Sequence, residues 1–145
     1  VVVSGTHDGL GQATSALEDA GAKRLVMLDV AGPFHSPLME PAADAFADVV
    51  REVAFDDARI PVWQNADPDP ETAAEAIRTR LLSQITSPVR WTETMASLME
   101  SGVRTVVEAG PGAVLKGLAR RMEGLAGVNV ETSGLAGTVE EVAGS

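Results

Sequence analysis

The sequence predicts an α/β protein in which short strands alternate with amphipathic helices. Three observations indicate this class. Short runs rich in β-branched and apolar residues recur along the chain, and each is followed by a stretch with helical periodicity. Glycines and prolines separate these segments, as they do at turns. The alternation of strand-like and helical segments is typical of α/β domains, and 145 residues are enough for a hydrophobic core.

The first part of the chain predicts a β-α-β unit over residues 1–31. Val1–Ser4 predicts a strand, a helix follows over residues 8–20, and Arg24–Val30 predicts a second strand. The glycines that follow the first strand and the helix are suited to ending each of them.

A longer helix is predicted to begin at Ser36-Pro37. Serine is a preferred N-cap residue, and proline is favoured at the first helical position. Over residues 37–53 the apolar side chains recur on one face and the acidic ones on the other. Ile60–Trp63 then predicts a strand, and Asn65–Pro70 predicts a loop because of its prolines and acidic residues.

The remaining sequence continues the same alternation. The predicted elements are a helix over 71–86, a helix opened by Ser87-Pro88 that ends near Gly102, a strand at Val103–Glu108, a turn at Gly110-Pro111-Gly112, a helix over 113–123 and a strand at Val128–Glu131. The tail after Ser133 is rich in small residues and is predicted to be loosely held.

Composition excludes several classes of function. The chain has no cysteine, so disulfides and thiolate chemistry are excluded, and its two histidines lie in no cluster with metal-ligand spacing. We therefore expect neither a metal nor a cofactor. The formal net charge of −10 disfavours a nucleic-acid partner. No apolar run approaches the roughly 20 residues of a membrane span, and no export signal is present, so we expect a cytoplasmic protein.

His35 is the strongest candidate for a catalytic residue. It lies in a loop after a predicted strand and directly before a predicted helix, and ligands of α/β proteins gather where strands end. The positive end of the helix dipole disfavours the imidazolium form, and a neutral imidazole is what a general base requires. The alternative is a histidine without a catalytic role, either on the surface or hydrogen-bonded within the loop.

Gln84 is the second candidate, because it falls on the apolar stripe of the predicted 71–86 helix. A buried amide without partners costs about 1–3 kcal/mol, so this side chain must form hydrogen bonds. Either the amide lines a polar cleft, or it bonds to carbonyl groups at its own helix end or in the next segment.

Two further sequence patterns bear on the chemistry that the chain could carry out. A phosphate-binding loop needs glycine followed by Lys-Ser/Thr, and Leu115-Lys116-Gly117 stands in those places after the Gly-Pro-Gly segment. That segment therefore predicts a tight strand-to-helix turn. No Gly-x-Ser-x-Gly elbow occurs in the 145 residues, so they do not contain a complete serine hydrolase or acyltransferase site.

Six short motifs occur in a fixed order over residues 1–131. They are Val2-Val3-Ser4-Gly5, the segment Leu28–Ser36, Leu38-Met39-Glu40-Pro41-Ala42, Pro61-Val62 with Asn65, Leu82-Ser83-Gln84-Ile85 followed by Pro88-Val89-Arg90-Trp91, and Glu108–Leu115. Each motif alone is weak evidence for a protein family, but six motifs in the expected order are specific for one. Together they resemble the C-terminal half of malonyl-CoA:acyl-carrier-protein transacylases.

The resemblance implies a fold and a reaction. It places residues 1–31 in the last β-α-β part of an inserted ferredoxin-like subdomain, and residues 32–145 in the C-terminal part of an α/β-hydrolase-like core. The implied reaction moves a malonyl group from coenzyme A, through an acyl-serine, to the phosphopantetheine thiol of acyl carrier protein. Malonyl-CoA and acyl carrier protein are therefore the expected partners.

The resemblance also assigns roles to three residues. His35 matches the histidine that deprotonates the serine, and Gln84 matches the glutamine whose backbone carbonyl orients that histidine. Phe34 matches an aromatic residue found in malonyl-selective acyltransferases, where a ring crowds a 2-methyl branch. Steric exclusion of this kind is worth roughly 1–3 kcal/mol, so the implied selectivity is partial.

The family's nucleophilic serine and the arginine for the malonyl carboxylate are expected N-terminal to Val1. We therefore expect a fragment that requires the missing N-terminal half as a partner, has no activity alone and exposes apolar surface. Two alternatives remain: an acyltransferase domain fragment of a polyketide synthase, and a non-catalytic α/β binding module. The first typically differs around Gln84, and the second does not explain histidine, glutamine and Gly-Pro-Gly in family order.

Overall fold

The computed structural model describes residues 1–144 and confirms the α/β class. The chain forms two compact units, the first being Val1–Arg90 and the second beginning at Trp91. The boundary predicted at residue 31 falls inside the first unit and stays a prediction. None of the helices in residues 1–144 combines the length and the apolar character needed to cross a membrane.

The first unit contains three helices and a small antiparallel sheet. Its elements are α1 (His7–Asp19), a 3₁₀ turn (Pro37–Met39) that leads into α2 (Glu40–Arg51), β1 (Val62–Gln64), β2 (Asp67–Glu71) and α3 (Ala74–Ser83). Strands β1 and β2 pair with each other in antiparallel register. The predicted helices over 8–20, 37–53 and 71–86 are thus confirmed, with ends that shift by up to three residues.

The two strands predicted on either side of α1 are wrong. Val1–Ser4 and Arg24–Val30 have no strand structure, and within residues 1–144 neither segment pairs with another strand. A strand satisfies its backbone groups only through a neighbouring strand, which local sequence cannot supply. Their apolar side chains lie open to solvent, with Val2 74% and Met27 66% exposed.

The start of the long helix differs from the prediction in one respect. Ser36 is the N-cap residue, but its side chain forms no capping hydrogen bond. Its hydroxyl donates instead to the carbonyl oxygen of Pro33 at 2.6 Å, while its own backbone carbonyl accepts from the Met39 N–H at 3.0 Å. Ser36 therefore joins the beginning of the helix to the loop before it.

The loop predicted over residues 65–70 is wrong, because most of it belongs to strand β2. Arg80 of α3 holds this acidic strand. Its guanidinium lies 3.0 Å from the Asp67 carboxylate and 3.6 Å from that of Glu71, and it donates to the Asp69 carbonyl at 2.7 Å. In a two-stranded sheet each strand keeps one free edge, so the two prolines of β2 remove no necessary ladder bond.

The second unit is built on a parallel pair of strands. Its elements are α4 (Trp91–Glu100), β3 (Thr105–Glu108), α5 (Val114–Ala119), β4 (Ala126–Asn129) and α6 (Val130–Ala143). Strand β3 pairs with β4 in parallel. Buried Met95, Ala119 and Leu125 form its apolar core.

Helix α6 continues to Ala143, through the segment after Ser133 that is predicted to be loosely held, while Ser145 lies outside the described residues. The Asn129 side chain caps this helix by accepting from the Thr132 N–H at 2.9 Å. Gly134, with a φ of 68°, interrupts the helix, and this conformation costs glycine little. The small residues of this segment are therefore accommodated within a kinked helix.

Candidate active site

His35 lies at the tip of a tight turn between residues 33 and 36. Its φ is 59°, and it is the only residue other than glycine with a positive φ among residues 1–144. Histidine tolerates this left-handed region better than most residues do, but the conformation still costs on the order of 1–3 kcal/mol. Backbone strain of this kind concentrates at functional sites, where the surrounding structure maintains it.

The His35 ring is held through one nitrogen. Nδ1 lies 2.9 Å from the carbonyl oxygen of Gln84 and 3.2 Å from that of Ser87. A carbonyl oxygen only accepts hydrogen bonds, so Nδ1 carries the proton and donates it to both. In the neutral ring Nε2 then keeps its lone pair. Because His35 is exposed, that nitrogen can accept a proton from an approaching group.

Gln84 supplies its carbonyl because of its position at the end of α3. It is the C-cap residue, and the last carbonyl groups of a helix have no donor within the helix. The two interpretations of the sequence concerned the Gln84 side chain, whereas the contact to His35 is made by the main chain. The catalytic roles assigned to both residues stay predictions.

Ser87 is a contact that the sequence did not predict. The Ser87-Pro88 pair predicts the start of a helix, but α4 begins three residues beyond Pro88, at Trp91. The Ser87 carbonyl instead becomes the second acceptor for the His35 ring. Every residue has a carbonyl group, so no residue-type signal could have identified this contact.

Phe34 lies immediately before His35 in the same turn, with 47% of its surface exposed. Its backbone carbonyl accepts a hydrogen bond from the Ser4 hydroxyl at 2.8 Å. The side chain of Phe34 is therefore open to solvent, and its part in acyl selectivity stays a prediction.

The Gly-Pro-Gly turn of the second unit is confirmed as a link between β3 and α5, and it is occupied by the protein's own acidic groups. Glu108 accepts from the Leu115 N–H at 3.0 Å and from the Lys116 N–H at 3.1 Å. Glu131 accepts from the Gly112 N–H at 2.6 Å. Carboxylates fill the places where a phosphate would bind, in agreement with the sequence interpretation.

Asn129 connects these groups from the end of β4. It is completely buried, and its amide nitrogen donates to the Gly112 carbonyl at 2.6 Å and to Glu108 at 3.3 Å. Its amide oxygen accepts from Thr132 at the start of α6. One side chain thus joins the turn, a strand end and a helix start.

These contacts predict a pH dependence of stability. The backbone N–H of Lys116, followed by that of Leu115 and the Asn129 amide, lowers the pKa of Glu108 below its usual 4.5, although burial opposes this shift. A lowered pKa stabilises the fold above the usual value, and this stabilisation is lost as pH falls through the lowered pKa. Thermal unfolding of Glu108→Gln should therefore show a weaker decline in Tm between pH 7 and pH 3 than the parent chain.

The matched control is Glu123→Gln, which removes an exposed carboxylate that accepts no hydrogen bond within residues 1–144. Its Tm should follow the parent at every pH. If Tm declined equally with falling pH in Glu108→Gln and in the parent, the Glu108 carboxylate would not stabilise the turn.

Comparison with known proteins identifies the family. Residues 1–141 match the family described as the acyl transferase domain, and the chain belongs to that family. Its relatives include malonyl CoA-acyl carrier protein transacylases, which confirms the predicted resemblance. The Haemophilus influenzae transacylase is 39% identical over 142 residues, which cover 97% of this chain and 46% of that protein.

Solved structures agree with this assignment. The malonyl-CoA:acyl carrier protein transacylase of Xanthomonas oryzae has a TM-score of 0.87 at 30% identity, over 97% of this chain and 44% of that chain. A malonyl-transacylase in complex with its type II PKS acyl-carrier protein has a TM-score of 0.81 at 42% identity, over 87% of this chain and 41% of that one. The chain thus spans less than half the length of these relatives.

Proposed function

We propose that this chain supplies the general base for transfer of a malonyl group from coenzyme A to acyl carrier protein in the cytoplasm. The observation that carries the proposal is the His35 ring, with Nδ1–H bound to the Gln84 carbonyl and Nε2 left as the acceptor. Family membership supports acyl transfer as the reaction class, and the names of the relatives support malonyl as the acyl group.

In the proposed first half-reaction, His35 Nε2 takes the proton of a serine hydroxyl while the serine oxygen attacks the thioester carbon of malonyl-CoA. The carbon–sulfur bond breaks, and the coenzyme A thiolate receives the proton from the imidazolium. In the second half-reaction, Nε2 takes the proton of the phosphopantetheine thiol, whose sulfur attacks the acyl-serine ester. The serine oxygen leaves and recovers the proton, so the ring ends neutral.

The two carbonyl groups at Nδ1 have a defined part in this sequence. They fix the ring orientation and the tautomer, so that each proton transfer occurs at Nε2. They also accept from Nδ1–H when the ring becomes positively charged, and hydrogen bonds from a charged donor are stronger than those from a neutral one.

The serine is proposed to come from residues outside these 145, which contain no Gly-x-Ser-x-Gly elbow. Acyl carrier protein is the proposed acceptor, a choice supported by the related malonyl-transacylase seen in complex with its carrier protein. Phe34 is proposed to disfavour acyl groups with a 2-methyl branch, because its side chain is exposed and it directly precedes His35 in the same turn.

We further propose that residues 32–145 belong to an α/β-hydrolase-like core and residues 1–31 to a ferredoxin-like subdomain. The apolar side chains of Val1–Val3 and of residues 25–30 are exposed on either side of α1. Exposed apolar surface of this kind marks a place where another part of a protein packs.

The experiment is a malonyl-transfer assay on a fusion enzyme, in which this chain replaces the matching part of the Haemophilus influenzae transacylase. The fusion enzyme should transfer malonyl from malonyl-CoA to acyl carrier protein. The 145-residue chain alone should not, because a base without a nucleophile forms no acyl-enzyme.

The control is the Haemophilus part without this chain, which should also be inactive. A folded fusion enzyme that binds malonyl-CoA and yet forms no acyl-serine would contradict the proposal. Turnover by the isolated 145 residues would contradict the proposed need for an external serine.

A further inference from the structure

Two serine hydroxyls hold the turn that carries His35. The Ser4 hydroxyl donates to the Phe34 carbonyl at 2.8 Å, and the Ser36 hydroxyl donates to the Pro33 carbonyl at 2.6 Å. The Ser36 bond is local and closes the turn itself. The Ser4 bond comes from a segment 30 positions earlier in the chain, so it ties the turn to a separate part of the first unit.

The Ser4 bond acts on the backbone of His35 through one peptide plane. The Phe34 carbonyl and the His35 N–H belong to the same rigid amide unit. The φ of His35 is the rotation of this amide plane about the N–Cα bond. A hydrogen bond to the Phe34 carbonyl oxygen therefore holds the plane in place and restricts that rotation. That angle is 59°, an unfavourable region from which an unanchored residue relaxes.

Relaxation of the turn would affect the ring directly. Nδ1 reaches the Gln84 and Ser87 carbonyls from a His35 backbone in the left-handed conformation, and a change of φ would swing the ring away from them. If the turn relaxes, Nδ1–H loses its acceptors, and the proton redistributes between the two ring nitrogens. A smaller share of rings then presents a free Nε2.

We propose that Ser4 is a positioning residue for His35, acting through the Phe34 carbonyl to keep the ring in the Nδ1–H form. The effect of Ser4 on catalysis rests on the proposed function of His35. The effect of Ser4 on the orientation and tautomer of the ring does not depend on that function.

The geometry is tested by nitrogen NMR of the 145-residue chain with ¹⁵N-labelled histidine. The chain has only two histidines, so His7, which is exposed at the start of α1, serves as an internal reference. Ser4→Ala should lower the share of His35 rings with the proton on Nδ1 and leave the His7 signals unchanged. Ser4→Thr keeps the hydroxyl at an exposed position and should restore the parent spectrum.

The matched control is Ser15→Ala, which removes an exposed hydroxyl that bonds only within α1, to the Gly11 carbonyl at 3.3 Å. Its His35 signals should equal those of the parent. Ser4→Cys is a second variant of nearly the same shape with a weak donor, and it should resemble Ser4→Ala. A parent-like His35 spectrum in folded Ser4→Ala or Ser4→Cys would overturn the inference.

The kinetic consequence is measured in the fusion enzyme. One hydrogen bond of ordinary strength corresponds to a fall in kcat of about three- to tenfold for Ser4→Ala, with KM for malonyl-CoA unchanged. If Ser4 had a purely structural role, the substitution would lower only the fraction of active enzyme. The kcat per active site, obtained by active-site titration, would then equal that of the parent. If His35→Ala leaves transfer intact, the proposed function fails, whereas the NMR comparison still decides the role of Ser4.

Discussion

The substitution His35→Ala in the fusion enzyme is expected to lower the kcat of malonyl transfer by about 100- to 10,000-fold. The variant removes the only group that we place as proton acceptor for both the serine hydroxyl and the carrier-protein thiol. KM for malonyl-CoA should change little, because the proposed role is exerted in the transition states of proton transfer. Steady-state transfer and the rate of acyl-serine formation are the quantities to measure.

Two substitutions serve as controls for this prediction. His7→Ala removes the other histidine, which is exposed at the start of α1, and should retain the parent rate. Gln84→Ala keeps the main-chain carbonyl that binds the ring, and should retain activity within about threefold, since only a side chain is lost. Equal rates for His35→Ala and His7→Ala would remove His35 from the mechanism.

The substitution Asn129→Asp is expected to destabilise the second unit by about 3–5 kcal/mol at pH 7. The parent amide is completely buried and donates to the Gly112 carbonyl and the Glu108 carboxylate. A carboxylate in its place would face two acceptors, one of them charged, and it would have no donor to offer them. Urea unfolding followed by circular dichroism measures the loss.

The control is Asn65→Asp, which makes the same chemical change at an exposed position and should alter stability by less than about 0.5 kcal/mol. The loss in free energy of unfolding caused by Asn129→Asp should become smaller as the pH falls, because the protonated carboxyl group can again donate one hydrogen bond. Equal effects of the two substitutions would show that the buried amide network does not hold the turn.

The three helices of the first unit are predicted well because their signals are local. The helix over 37–53 was found from the Ser36-Pro37 pair and a single apolar stripe, and both belong to the helix itself. The strands at Val1–Ser4 and Arg24–Val30 failed because strand formation depends on a partner elsewhere in the chain. Strand β2 was missed for the same reason, since its acidic side chains are bound by Arg80 of the following helix.

The candidate site was predicted only in part. His35 could be selected from its place before a helix start, but the use of the Gln84 carbonyl was implied only by the family resemblance. Ser4 and Ser87 could not be selected, because they contact the turn from 30 and 52 positions away. Asn129 did carry a signal, an asparagine three residues before a threonine at a helix start, but the apolar residues around it favoured a strand.

The proton position on the His35 ring at pH 7 decides most directly whether this residue is prepared to act as a base. A ¹⁵N spectrum of the histidine-labelled chain should show one protonated nitrogen, Nδ1, and an unprotonated Nε2 in the neutral ring. A spectrum with the proton on Nε2, or with the same mixture of forms as His7, would contradict the mechanism proposed for this site.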